Sequence, residues 1–257
     1  MTNTQVATFG PFEIAYEEAG SGFPVVLVHG NFASRRWFTE QLANPPAGLR
    51  LIVLDLPGFR GTPGLPDGPS IAGWGKALSE FTEHLGLGDH ALVGHSLGGA
   101  VVQHVLIHHP QHVKAALLVD SSPPGGFPPA DERLPIWQQL QTDTALLTAS
   151  LMAIMPKTRV PYIAEIVADG QAMDDRYYAG NAVALGQYDF TGETSHVSVP
   201  VHVLYGALDS IVTREMADST AQAFNTHLEV WDDIGHSPPV EAPERFTALL
   251  ATLFPPS

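Results

Sequence analysis

The stretch VGHSLGGA, Val93 to Ala100, sets three glycines, a serine and a histidine between two apolar runs. Gly94, Gly98 and Gly99 bring no side chain to a core. A chain gives up packing in this way where backbone must approach backbone, or where a turn needs a conformation that a Cβ resists. Ahead of it, DHALVGHS (89–96) is a short apolar run, and behind it Ala100 to His109 has helical character. The serine therefore lies at a strand-to-helix junction, and Gly94-His95-Ser96-Leu97-Gly98 has the form G-x-S-x-G. Such a turn projects the hydroxyl over the strand ends, and the helix behind it aims its N-terminal amides at the same place. The blander reading makes Ser96 a turn residue and no more. The surroundings decide between the two.

Four further apolar runs end in turn or polar residues: PVVLVHG (24–30), LRLIVLDLPG (49–58), VKAALLVDSS (113–122) and VPVHVLYGALD (199–209). HLEVWDD (227–233) is a less pure sixth. Unbroken apolar runs suit strands buried on both faces of a parallel sheet. Helical stretches fall between them at Ile71–Leu85, Ala100–His109, Arg214–Ala223 and Pro243–Leu253. FEIAYEEAGSGFPVVLVHG reads as a hairpin-like strand pair turning at Gly20–Gly22. The expected fold is α/β, a mostly parallel sheet flanked by helices.

The pattern is interrupted once. Between about residues 123 and 197 the strand signal vanishes and helix-like segments take over (Leu134–Leu151, Ile163–Ala168, Tyr177–Leu185). That is too long for a simple connection, so a helical cap inserted after the sixth strand is expected. The core then comprises residues 1–122 and 198–257, and the cap 123–197.

Composition narrows the function. The chain has 257 residues and no cysteine, which removes thiol chemistry and Cys-ligated zinc. Twelve Lys and Arg stand against 27 Asp and Glu, a formal net charge of −15, which opposes binding to nucleic acid or an anionic membrane. MTNTQVATFG has neither a basic nor an apolar leader region, and no run approaches the length of a membrane span. A cytoplasmic protein acting on a small molecule is expected.

Three more motifs give Ser96 a context. VLVHGN puts His29-Gly30-Asn31 at the end of an earlier strand, GALDSIV puts Asp209 after the next-to-last strand, and DIGHSPPVEAPERF puts His236 after the last. With LDLPGFRGTP and LVGHSLGGAVVQHVLIHHP, these pieces resemble the α/β-hydrolase superfamily, in its small capped form, over residues 25–253. FRGTP stands where relatives often have x-G-x-S, a departure that touches nothing catalytic. The resemblance implies the order Ser96, Asp209, His236 and an oxyanion hole at the backbone N–H groups of Leu97 and Asn31, with Phe32 the alternative second donor. The chemistry agrees. A serine hydroxyl needs a base within hydrogen-bond reach, an imidazole serves near neutral pH, and a carboxylate fixes its tautomer.

Each residue has a rival or a blander reading. Asp120, at the end of ALLVD, competes with Asp209 for the acid, while Asp232 and Asp233 read as turn residues. His29 reads as a buttress of its loop. His104/His108 and His108/His112 have the i,i+4 spacing of zinc ligands, yet no H-E-x-x-H accompanies them, and a solvated helix end is expected with no metal and no cofactor. GHSLGG fits neither phosphate-binding glycine pattern. Phe32, Phe127, Trp137, Leu151, Met152, Met155, Tyr177, Tyr178 and Val212 are candidates for a substrate pocket, against the plainer reading that half of them pack the cap onto the sheet. Tyr177 and Tyr178 also resemble the lid tyrosines of epoxide hydrolases, but that family uses an aspartate where Ser96 stands. The cap offers Lys157, Arg159 and Arg176 among its cations, and nothing in their spacing aims them at Ser96.

The expected activity is cofactor-free hydrolysis of a carboxylic ester or lactone by way of an acyl-enzyme. Carbon–carbon hydrolysis, perhydrolysis, amide cleavage or cyanohydrin lysis on the same residues are the alternatives, and a non-catalytic receptor is the least favoured.

Overall fold

Apolar runs without alternation become the centre of the sheet. In a computed structural model, which describes residues 3–127, 134–157 and 160–255, eight strands form one sheet in the order β1-β2-β4-β3-β5-β6-β7-β8. They are β1 (Gln5–Phe9), β2 (Phe12–Gly20), β3 (Phe23–Val28), β4 (Leu49–Leu54), β5 (His90–His95), β6 (Val113–Val119), β7 (Val201–Gly206) and β8 (Leu228–Trp231). From β4 through β8 the sheet is parallel. Every residue of β5 is buried, as a central strand covered on both faces requires.

The N-terminal pair differs from the expected hairpin. β2 runs antiparallel to β4 rather than to β3, and its hairpin partner is the preceding strand β1. Gly20 and Gly22 still turn the chain, at φ +82° and +118°, but into a crossing rather than a hairpin. A Cβ on Gly22 would lie 2.1 Å from the carbonyl oxygen of Gly48, because the chain passes under the start of β4 on its way to β3. β2 buries alternate residues over its first half, a pattern that suits either neighbour and carries no information about which one it pairs with.

The helices are α1 (Thr39–Ala43), α2 (Ile71–His84), α3 (Leu97–His108), α4 (Leu134–Gln139), α5 (Thr144–Ala153), α6 (Ile163–Gln171), α7 (Tyr177–Gln187), α8 (Arg214–Ala223), α9 (Pro238–Glu241) and α10 (Pro243–Leu253). In α2, Ile71, Trp74, Ala77, Leu78 and Phe81 recur at helical spacing and are buried together. Ser70 caps it by accepting the N–H of Gly73 at 3.0 Å. The helical stretch expected over 134–151 is broken in two, because Asp143 caps a new helix by accepting the N–H of Leu146 at 2.9 Å.

α4 to α7 lie between β6 and β7. α6 is fixed to the core loops by one carboxylate. Asp169 accepts from Ser34 Oγ at 2.7 Å, Arg36 Nε at 2.8 Å and Arg60 Nε at 3.0 Å. Removing one partner of a buried ion pair costs ~3–5 kcal/mol, and these guanidinium groups keep part of their hydration. Asp169→Ala is therefore expected to lose about 2–3 kcal/mol, read as a lower urea midpoint at unchanged slope. An unchanged midpoint would mean that apolar contacts alone hold α6.

Strand order places the crevice. From β3 the chain steps outward to β4, then returns to β5 and continues the other way through β6 and β7. Ligand sites in open α/β sheets lie beyond the carboxyl ends of the strands where that direction reverses, here between β3 and β5. Asn31 follows β3 and Ser96 follows β5.

Candidate active site

Ser96 sits between β5 and α3 at φ +54°, ψ −116°, a conformation that costs a non-glycine residue ~1–3 kcal/mol. Its neighbours over-determine it. Its N–H donates to Val119 O at 3.0 Å, and its carbonyl accepts from Gly99 N–H at 2.9 Å and Ser122 N–H at 3.2 Å. The glycines of VGHSLGGA are steric. A Cβ on Gly94 would lie 2.4 Å from Gly98 O, and one on Gly98 would lie 2.5 Å from the carbonyl oxygens of both Val28 and His29. α3 opens at Leu97, three residues earlier than its apolar pattern indicates, so the Leu97 N–H is in the first turn and has no intrahelical acceptor.

Two loops bring His236 and Asp209 together. Leu208 N–H donates to Ile234 O at 2.9 Å, which ties the loop after β7 to the one after β8. Asp209 Oδ1 accepts the N–H groups of Ile211 at 2.6 Å and Val212 at 3.1 Å, and Oδ2 lies 2.6 Å from His236 Nδ1. Asp120 makes no such contact with His236; its Oδ1 accepts the Gly206 N–H at 2.8 Å. Two partners of His236 carried no signal in the sequence. Its N–H donates to Ile154 O just beyond α5, at 2.9 Å, and its carbonyl oxygen is 2.6 Å from His95 Nε2. His95 stacks on Trp37, and burial holds its pKa well below the ordinary range, so it is neutral and donates from Nε2.

His29 is also a buried neutral ring. Its Nε2 accepts the Leu56 N–H at 3.1 Å, which leaves Nδ1 to donate to Gly30 O at 2.8 Å, and burial lowers its pKa to about 4. His104 differs from the solvated helix end expected of it. It is 8% exposed, and burial, then the neighbouring His108 and His109, lower its pKa to about 4. Among the described residues, His104, His108 and His112 do not converge at metal-binding distances. A histidine depressed in this way favours the native state fully above its unfolded pKa near 6.5, and that share is lost as pH falls towards 4. Each contributes up to about 3 kcal/mol. The urea midpoint is expected to fall between pH ~7 and ~4.5, and less steeply in His104→Leu. Equal slopes would mean that His104 titrates normally.

Ser96 and His236 line one cavity of about 260 Å³, together with Asn31, Phe32, Phe127, Trp137 and Val212. The rest of the wall comes chiefly from α4, α5 and the loop after β7, including Ile136, Leu147, Leu151, Ile154 and Ile211. Four residues expected to line the pocket do not: Met152, Met155, Tyr177 and Tyr178. Met152 is 51% exposed on the outer face of α5, one step along the helix from Leu151, which does face the cavity. Met155 is buried in the hydrophobic core and does not line the cavity. Tyr178 packs behind Phe32 and donates its hydroxyl to Gly170 O at 3.2 Å. Tyr177 is likewise core, its hydroxyl accepting the Leu65 N–H at 2.6 Å, so neither tyrosine reaches the cavity. Arg176 pairs with Asp174 away from it. Arg159 lies outside the described residues.

The chain is similar to known proteins. The profile of the "Alpha/beta hydrolase family" matches residues 25–249. A pimeloyl-[acyl-carrier protein] methyl ester esterase of Vibrio cholerae is 28% identical over 253 residues, 90% of this chain and 94% of that protein. A monoacylglycerol lipase of Bos taurus is 25% identical, over 88% of this chain and 73% of its own length. A bromoperoxidase from Bacillus anthracis superimposes with a TM-score of 0.87 at 21% identity, over 98% of this chain and 99% of the other. With the fold, the strand-end loops and a profile match across most of its length, the chain belongs to the alpha/beta hydrolase family.

Proposed function

We propose that the protein is a serine hydrolase that cleaves a carboxylic ester or lactone of a small to medium, mostly apolar substrate. Ser96 Oγ attacks the carbonyl carbon while His236 takes its proton, and Asp209 holds the imidazole through Nδ1. The tetrahedral oxyanion collapses to the acyl-enzyme, and His236 returns the proton to the departing alkoxide. Water repeats the sequence and releases the acid. The observation that carries this reading is one cavity lined by both Ser96 and His236, with His236 Nδ1 2.6 Å from Asp209 Oδ2.

The backbone N–H groups of Leu97 and Asn31 form the oxyanion hole, each supplying roughly 3–4 kcal/mol to barrier reduction. Phe32 is the poorer second donor, because its N–H is taken by Asn31 Oδ1 at 3.0 Å. That oxygen also accepts from Asn181 Nδ2 of α7 at 2.7 Å, so the insertion braces the loop that carries the donor. Residues 123–197 act as the cap over a core of 1–122 and 198–257. Two relatives are named for ester substrates, which supports an ester as the scissile group.

The cavity bounds the substrate. Its volume of about 260 Å³ lies just under the ~300–1,000 Å³ of sites for drug-sized ligands. Among the described residues its wall holds no Asp, Glu, Lys or Arg. A charge buried there would have no partner. In a series of acyl esters, kcat/KM is expected to climb from acetyl upward, each buried methylene contributing up to about 0.8 kcal/mol, and to fall once the cavity is full. A free carboxylate at the far end of the acyl chain is expected to lower kcat/KM tenfold or more at fixed ionic strength. A preference for the carboxylate members would overturn the neutral pocket.

A further inference from the structure

Asp120 is the unexplained acid beside this site. It follows β6 at φ +41° and is 1% exposed. One oxygen, Oδ1, accepts the Gly206 N–H at 2.8 Å. The other, Oδ2, is buried and receives no hydrogen bond among the described residues. Asp209 is furnished differently, with two backbone N–H groups and His236 Nδ1 directed at its oxygens. One oxygen of each carboxyl lies within 4.8 Å of the other, and the Asp209 side chain bears directly on the Asp120 proton. Two carboxylates cannot bond each other, because neither has a donor.

One proton between them resolves the contact, and the donor count says which acid holds it. Asp209 has three donors and is the anion. Asp120 has one donor and an orphaned oxygen, so its neutral form costs least. We propose that Asp120 is a positioning residue that keeps its proton at neutral pH and donates it in a hydrogen bond to the Asp209 carboxylate, holding that carboxylate in line with His236 Nδ1. The inference rests on Asp209 as partner of the base in the proposed hydrolase. The charged groups around Asp120 point the same way. Burial acts first and Asp209 second, with Glu241 from α9 adding a further negative charge, and together they hold the Asp120 pKa well above the carboxylate range. The Tyr205 ring on β7 is close by, its own pKa raised by burial and by both aspartates. One oxygen of each acid and a nitrogen of His236 lie within 4.8 Å of one another. The 2.6 Å between Nδ1 and Asp209 Oδ2 is a direct hydrogen bond, too short to admit a bridging cation.

Two variants and one spectrum test this. Infrared spectra of the folded protein at pH ~7 are expected to contain a protonated-carboxyl band that Asp120→Asn removes. This needs no substrate, so it answers for Asp120 even if the ester reading fails. Asparagine keeps a donor for Asp209 and an acceptor for Gly206. Asp120→Asn is therefore expected to retain most of the turnover that Asp120→Ala loses, with alanine lowering kcat at least ~10-fold at similar KM. Without the donated hydrogen bond, Asp209 presents more negative charge to His236. The acidic limb of kcat/KM then moves to higher pH in the alanine variant and stays in place in the asparagine one. Absence of the infrared band, or an acidic limb moved down in Asp120→Asn, would show Asp120 ionised and overturn the proposal. Equal losses in both variants, at native urea midpoints, would do the same. If neither variant nor wild type cleaves any ester, the hydrolase reading fails while the band still decides the proton.

Discussion

Ser96→Ala is expected to lower ester turnover by at least ~10³-fold while the protein stays folded. The fold survives because the strain at φ +54° belongs to the backbone, and alanine there carries the same Cβ as serine. The hydrogen bonds that fix the turn run through the backbone N–H and C=O of residue 96, so none is lost. What disappears is the hydroxyl alone. The residual rate is expected from the proposed oxyanion donors and from binding, which would hold a water near the carbonyl without a covalent route. A phosphonate probe is expected to add one mass, on Ser96, in the wild type and none in the variant. The control is demanding, because Ser122 and Ser150 line the same cavity. Labelling at either, or turnover that survives in Ser96→Ala, would end the assignment.

The parts of the site legible in the sequence were those whose chemistry forces a local pattern. The elbow needs glycines at fixed offsets because backbone atoms occupy the Cβ space of Gly94 and Gly98, and the Ser121 side chain that of Gly99, so VGHSLGGA reports its own geometry. The strands wrote themselves as apolar runs because both faces are covered. Pairing was not legible where the pattern was amphipathic. β2 alternates as a half-buried strand does, and it would alternate the same way beside β3 or beside β4. The pocket wall was the least legible. Leu151 and Met152 are both apolar and adjacent on α5, and only the rotation of that helix sends one into the cavity and the other to solvent. Contacts through a carbonyl oxygen, as between Ile154 and the N–H of His236, leave no mark on residue type at all.

Asp209→Asn is expected to lower turnover by up to ~10⁴-fold, the scale of a tautomer error in a triad of this kind. The hydrogen bonds around residue 209 explain why asparagine cannot rotate away the damage. Oδ1 accepts two backbone N–H groups, from Ile211 and Val212. An asparagine keeps its carbonyl oxygen there, because turning the amide would face an N–H₂ group with two N–H donors. The amide nitrogen therefore takes the place of Oδ2, 2.6 Å from His236 Nδ1. A donor in that place drives the imidazole to the tautomer with its proton on Nε2, and a ring protonated on Nε2 cannot accept the proton of Ser96. The loss is then one of proton location rather than of shape, so KM changes little and kcat carries the effect. Asp120→Asn has no such consequence, because Asp120 makes no contact with Nδ1 and its Oδ1 can go on accepting from Gly206. Comparing the two substitutions in one kinetic series separates the acids directly. A large loss for Asp120→Asn beside a small one for Asp209→Asn would move the triad to the end of β6, and would leave the 2.6 Å contact at Nδ1 a support for the ring rather than the source of its basicity.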